Sequence, residues 1–134
     1  AEPFLTAETQ FAGTRRDANA TGRISNIRLD NFDLKHLAYS FAHGIIDELL
    51  STFGLSSRDD IALAGIDQFV GSGNTVRRFS LLRRAFAERT KHRLLLPLHA
   101  EEAAVGAAVL AAATVANRRT EDIAAQVISY ETPE

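Results

Sequence analysis

Gly71, Ser72, Gly73 and Asn74 stand directly after the run Ile66-Asp67-Gln68-Phe69-Val70, and Arg77, Arg78 and Phe79 follow them. A glycine pair at the carboxyl end of a strand lets the backbone take positive φ and lets a ligand approach where a Cβ would collide. The helix after such a turn presents unpaired N–H groups and the positive end of its dipole, which suits a phosphate or a polar nucleotide edge. The same tripeptide also serves ordinary strand-to-helix turns. A phosphate-loop Gly-Lys-Ser/Thr is missing, and so is a dinucleotide Gly-x-Gly-x-x-Gly, because position 76 is valine. Those two nucleotide classes are therefore disfavoured.

Further along, Glu101-Glu102-Ala103-Ala104-Val105-Gly106-Ala107-Ala108-Val109-Leu110 opens a run of small residues ending at Ala116. Stripped of bulk, this segment is expected to lie close to a neighbouring element, with tight packing the role of Ala103, Ala104, Ala107 and Ala108. Glu101 and Glu102 fall in its first turn, where carboxylates favour the helix dipole and need no catalytic explanation. Between Arg77 and Arg93 there are seven basic residues, at 77, 78, 83, 84, 89, 91 and 93, against the single acid Glu88. The aromatics Phe79 and Phe86 fall on the apolar stripe of that segment, so a solvated helix face is a better account of the charges than nucleic-acid binding. His36, His43, His92 and His99 show no i, i+4 pair and the chain has no cysteine, which argues against zinc. No Ser/His/Asp spacing suggests acyl transfer.

The elements that must position these residues are legible from periodicity. Pro3–Thr6 and Thr9–Phe11 are strand candidates, a polar loop covers 13–21, and Arg23 to Leu29 alternates. Asn31 and Asp33 offer N-caps for a long helix with Leu34, Leu37, Phe41, Ile45, Leu49 and Phe53 on its apolar face, closed by Gly54. Residues 55–65 form a connector with a short helix, and 66–70 a strand. The helix after the glycine turn should bury Val76, Phe79, Leu82 and Phe86 on one face. Leu94 to Leu98 reads as a short buried strand and Glu101 to Ala116 as the small-residue helix. Thr120 caps a last helix with Ile123, Ala124, Val127 and Tyr130 inward. The class is α/β, with short amino-terminal strands followed by a parallel βαβα unit.

A chain of 134 residues with 46% apolar content can bury a core as one domain, 1–134. A net charge of −2 gives no argument for nucleic acid or an anionic membrane, and the longest apolar stretch is below the roughly 20 residues of a membrane span. The absence of cysteine fits a cytoplasmic setting. The chain begins at Ala1 and contains no methionine, as either initiator removal before a small residue or a piece of a longer protein would give.

Three separated segments carry a resemblance to a known family. Phe11-Ala12-Gly13-Thr14-Arg15-Arg16-Asp17 with Gly22 resembles the opening loop of the carboxyl-terminal, ATP-binding lobe of the FGGY carbohydrate kinases. Asn31-Phe32 through His36-Leu37 to Gly44-Ile45 resembles the first long helix of that lobe. Gly71-Ser72-Gly73-Asn74 with Glu102-Ala103-Ala104-Val105-Gly106-Ala107-Ala108 resembles its adenosine motif and following helix. Sedoheptulokinase-type members look most similar, and the match covers roughly residues 10 to 116. The family usually has Asn-Pro where this chain has Phe79-Ser80, and His43 stands where many members have glutamate.

The resemblance implies a ribonuclease H-like fold of the actin/hexokinase/Hsp70 superfamily, here an incomplete lobe of a two-lobed enzyme. It implies transfer of the γ-phosphoryl group of ATP, with Mg²⁺ held mainly by the amino-terminal lobe, to a ketose hydroxyl. Gly71, Ser72, Gly73, Asn74, Arg77, Arg78 and Phe79 are then the nucleotide-side residues. None of Asp17, Asp30, Asp33, Asp47, Asp59, Asp60, Asp67 and Asp122 matches the motif of the catalytic base, so this chain alone is expected to lack one and to hold no metal site of its own. The expected partners are the sugar, ATP and the amino-terminal lobe, without nucleic acid or membrane and with a homodimer left open. Two competing readings are a non-enzymatic binding module using the basic segment 77–93, and a kinase-fold lobe that has lost ATP binding.

Overall fold

The computed structural model describes residues 5–14 and 17–133, which form two compact units of mixed α/β structure. Pro3, Phe4, Arg15 and Arg16, part of the first strand candidate and of the opening loop, lie outside the described residues.

The first unit takes in 1–67 and 81–92. Strand β1 (Thr6–Glu8) pairs antiparallel with β2 (Arg23–Ser25), with Ala7 opposite Ile24. Among the described residues the strand runs over 6–8, and the strand expected at 9–11 does not form. Pairing stops after Glu8 because the chain turns, with the Phe11 N–H donating to the Thr9 carbonyl and that of Gly13 to Gln10. The alternation predicted through Leu29 ends at Asn26, which adopts a left-handed φ of 61° and donates from Nδ2 to the Thr6 hydroxyl. Buried Asn31 then accepts from the Arg28 N–H at 2.8 Å, leaving Leu29 fully exposed.

Helix α1 (Leu34–Thr52) starts at Asp33, whose carboxylate accepts from the His36 N–H at 2.9 Å. It ends as the glycine predicts. Gly54 has φ 70°, its N–H reaches the Ser51 carbonyl, and the Leu55 N–H reaches that of Leu50. The buried face differs from the expected one. Ser40, Ala42, Ile46 and Leu50 are covered, while Leu34, Ile45, Leu49 and Phe53 are exposed. Gly44 sets this rotation, because the Ala7 carbonyl of β1 sits 2.1 Å from where a Gly44 Cβ would be.

Helix α2 (Arg58–Leu63) carries a full capping box, in which Ser57 accepts from the Asp60 N–H and Asp60 accepts from that of Ser57. Ile61 is its buried anchor. Ser57→Ala should lower the unfolding free energy by about 1 kcal/mol, read as a lower urea midpoint at constant slope. An unchanged midpoint would show that α2 stands without its cap.

The second unit takes in 68–80 and 93–134. Strand β3 (Phe69–Val70) pairs parallel with β4 (Leu94–Pro97), and β5 (Tyr130–Glu131) pairs antiparallel on the other side of β4, giving the order β3-β4-β5. The parallel pair follows expectation. β3 covers only the end of the predicted 66–70 strand, because the Ile66 N–H still closes α2 by donating to the Ile61 carbonyl.

The single amphipathic helix predicted after the glycine turn is two helices, α3 (Asn74–Arg78) and α4 (Ser80–Thr90). Phe79 breaks it with an extended ψ of 95° and is exposed rather than buried, whereas Ala85 and Phe86 of α4 are covered in the first unit.

Helix α5 (Glu102–Ala116) ends at left-handed Asn117 and packs against α6 (Thr120–Val127). Only Val109 and Ala113 of α5 are buried; Ala103, Ala104, Ala107 and Ala108, expected to pack tightly, are exposed, because α5 turns the 109/113 side inward. Arg119 rather than Thr120 takes the N-cap position of α6. Ile123 and Ala124 are half-buried as predicted, but Val127 and Tyr130 are exposed, since the chain straightens at Ile128 and Tyr130 joins β5. Among the described residues no helix is long and apolar enough to cross a membrane.

Candidate functional site

The turn 71–74 leaves the carboxyl end of β3. The Gly71 N–H prolongs the parallel pairing by donating to the Leu95 carbonyl at 2.9 Å. A Cβ on Gly71 would lie 2.9 Å from Val76 Cγ1 and 3.4 Å from Leu94 and Leu96 side chains, so this position has no room for a side chain without a shift. Gly73 has φ 95° and ψ 155°, a conformation that L side chains rarely adopt. With these two positions fixed by glycine, Ser72 and Asn74 face solvent.

Arg77 and Arg78 follow on α3 but part company. Arg78 is exposed, as is Phe79. The Arg77 guanidinium is half-buried and Nη2 donates to the Pro97 carbonyl at 2.7 Å, the His99 carbonyl at 3.2 Å and Glu102 Oε1 at 3.0 Å. It therefore ties α3 to the connection between β4 and α5. Arg77, and then the Gly73 N–H, hold the Glu102 carboxyl below the usual carboxylate range. His99 extends the tie, with Nε2 3.1 Å from the Val127 carbonyl at the end of α6. Ser72, Pro97, His99, Glu102 and Val105 line an open cavity of about 120 Å³.

This electrostatic arrangement changes what the turn can bind. Glu102 lines the same cavity as Ser72 of the turn, and α3 spans only five residues. A phosphate here would meet the Glu102 charge. A neutral, planar group with polar edges would not. Ligand pockets usually enclose roughly 300 Å³ or more, so the smaller volume here suits one side of a ligand rather than the whole of it.

Of the residues singled out from the sequence, Gly71, Ser72, Gly73 and Asn74 form one turn in which Ser72 and Asn74 are exposed and Gly71 is buried, with Arg78 and Phe79 at the far end of α3. Arg77 belongs to the scaffold of that turn. Glu102 was assigned only to the helix dipole; an arginine and a glutamate each placed just after a parallel strand were the sequence signal of their pairing. The seven basic residues divide between the two units. Those at 77, 78 and 93 belong to the second unit and those at 83, 84, 89 and 91 to the first. Arg84 and Arg89 are engaged with Glu88 and Asp47.

A separate polar cluster lies in the first unit. Glu88 of α4 accepts from the Tyr39 hydroxyl, from Arg84 Nε at 2.9 Å and lies 3.1 Å from His43 Nε2. Tyr39, then Arg84 and His43, lower its pKa to about 2, and Glu88 in turn raises that of Tyr39. A carboxylate held so low is a poor proton acceptor near neutrality. His36 pairs instead with Asp33, so the two α1 histidines do not act together. Among the described residues no group of three or more His, Cys, Asp or Glu side chains converges as a metal site would require.

Compared with protein-family models, with curated proteins and with solved structures, the chain finds no match in any of the three.

Proposed function

We propose that this chain is the ATP-binding carboxyl-terminal lobe of a carbohydrate kinase with a ribonuclease H-like fold, in which the turn Gly71–Asn74 meets the adenosine side of the nucleotide. The observation that carries the reading is the placement of this turn. It leaves the carboxyl end of one parallel strand, beside the connection that leaves the carboxyl end of the next, and ligands of open α/β sheets bind at that edge. The Glu102 carboxylate, which lines the cavity beside Ser72, favours the uncharged nucleoside over the phosphates. The phosphates, Mg²⁺ and the sugar fall to the amino-terminal lobe, where positioning and charge neutralisation transfer the γ-phosphoryl group. The exposed apolar circumference of α5, which carries no charge from Ala103 to Ala116, supports a lobe completed by further protein.

The full-length protein should bind a non-hydrolysable ATP analogue and release ADP only when a ketose is present. Failure to bind ATP or to turn over any pentulose or heptulose would overturn the reading. The Phe79-Ser80 pair supplies a second test. Phe79 is already extended and Ser80 is the first helical residue of α4, so Asn-Pro fits this backbone. Phe79→Asn with Ser80→Pro should tighten nucleotide binding several-fold by restoring a side-chain amide. Unchanged affinity would separate position 79 from the nucleotide.

A further inference from the structure

We propose that the first unit holds a further small-molecule site, an open cavity beside Tyr39, His43 and Asp47 of α1 that takes the protonated amino group of a small aliphatic amine. The site is independent of the nucleotide turn, since every residue lining it belongs to the first unit. The cavity encloses about 320 Å³, within the range of ligand pockets, against about 120 Å³ beside Ser72. Ser40 and Gly44, one turn apart on α1, carry too little side chain to fill this space, and buried Leu5 and Ala7 give it an apolar wall. Tyr39, His43 and Asp47 follow the same spacing in the adjacent row of the helix. Glu88 reaches Tyr39 and His43 from α4.

The chemistry of the occupant follows from where the side-chain protons already go. Tyr39 donates its hydroxyl proton to Glu88, and Ser40 donates to the Leu37 carbonyl at 2.9 Å. His43 Nε2 lies 3.1 Å from Glu88 Oε2, and because an ionised carboxylate only accepts, this nitrogen is the donor. In the neutral ring Nδ1 then offers a lone pair, as do Tyr39 Oη and Ser40 Oγ. Two carboxylates stand with them. Arg89 holds Asp47 through Oδ1 and Arg84 holds Glu88 through Oε1, but no arginine or lysine lines the cavity itself. Among the described residues Asp47 is engaged through Oδ1 alone, which leaves Oδ2 for a ligand. An anion would meet two carboxylates, and an alcohol has a single proton to give. An ammonium group has three and the matching charge. The two arginines offset part of the acidic field, so recognition rests on direct contact with Asp47 rather than on long-range attraction. The alkyl chain of the amine lies against Leu5 and Ala7.

The test titrates n-butylamine into the full-length protein at neutral pH and follows it by NMR of the labelled Tyr39 and His43 rings, with 1-butanol and butyrate as controls. The amine should shift both rings saturably, and each control should bind at least about tenfold more weakly. Asp47→Asn keeps the size of the side chain and should weaken n-butylamine about tenfold while leaving 1-butanol unchanged. The comparison of the three ligands on wild-type protein decides the matter even where that variant fails to fold. Rings that do not respond to n-butylamine, a control that binds as tightly as the amine, or a folded Asp47→Asn protein with undiminished affinity would each overturn the assignment.

Discussion

Gly44→Ala is expected to lower the unfolding free energy by about 1–2 kcal/mol, in the direction opposite to its helix propensity. Alanine in a helix interior gains up to about 1 kcal/mol over glycine. At position 44, however, the new Cβ would stand 2.1 Å from the Ala7 carbonyl oxygen and 3.1 Å from its carbon. Those are backbone atoms of β1, so relief requires the strand to move rather than a side chain to swing. Overpacking of this kind typically costs about 1–3 kcal/mol, and backbone contacts this close put position 44 towards the upper end, which leaves about 1–2 kcal/mol once the propensity gain is subtracted. The displaced strand also carries Leu5 and Ala7, two of the buried apolar residues of the first unit, so the cost spreads into its core. Gly106→Ala provides the control. No atom lies within 4 Å of a Cβ at Gly106, and there the same substitution should stabilise by about 0.5–1 kcal/mol. Urea unfolding followed by circular dichroism reads both. A neutral or stabilising Gly44→Ala would mean that β1 does not run against α1 as described.

The same glycine explains why α1 was legible in extent but not in orientation. Asp33 and Gly54 are local signals whose chemistry acts within a few residues, so the ends of the helix could be read from the chain alone. Its apolar residues, in contrast, occupy two adjacent rows, Phe41, Ile45 and Leu49 beside Ala42, Ile46 and Leu50. Periodicity cannot choose between rows one residue apart. The choice falls to Ser40 and Gly44, small enough to admit a strand thirty or more residues earlier in the chain.

Position 79 teaches a related lesson. Arg77-Arg78-Phe79-Ser80 contains neither proline nor glycine, and Phe79 continues an apolar spacing that suggests one unbroken helix. The break coincides with Arg77 being held by groups at 97, 99 and 102, a constraint that no window of local sequence contains. The candidate site divides along the same line. The turn itself was visible because glycine announces a backbone that other residues resist. Glu102, which pairs with Arg77 on the helix that follows the turn, was not, because a glutamate in a first helical turn already has a sufficient local reason. Strand β5, two residues long, carries too little pattern to be read at all.

Glu88→Ala is expected to cost about 2 kcal/mol at neutral pH and almost nothing near pH 2. Three donors converge on this carboxylate, from Tyr39 and His43 on α1 and from Arg84 one turn earlier on α4. A charge-assisted hydrogen bond contributes about 1.5–3 kcal/mol when buried. Here the Glu88 side chain is 34% exposed and Arg84 71%, so solvent screening removes most of the Arg84 contribution, and the sum falls well short of three full bonds. Tyr39 and His43 carry the larger share, since they lie between the helices with their rings 4.4 Å apart. The pH dependence follows from the direction of the shift. Glu88 titrates near 4.5 when unfolded and at about 2 when folded, so the folded state releases the proton more readily. Its stabilisation is fully present above the unfolded value and disappears as the pH falls from about 4.5 towards 2. The difference in unfolding free energy between wild type and Glu88→Ala, measured by urea titration at a series of pH values, should therefore narrow through that window. Tyr39→Phe should reproduce about half of the neutral-pH loss, because it removes the hydroxyl that donates to Glu88 and leaves the carboxylate in place. A difference that stayed constant from pH 7 to pH 2 would show that Glu88 acts through packing and not through its charge.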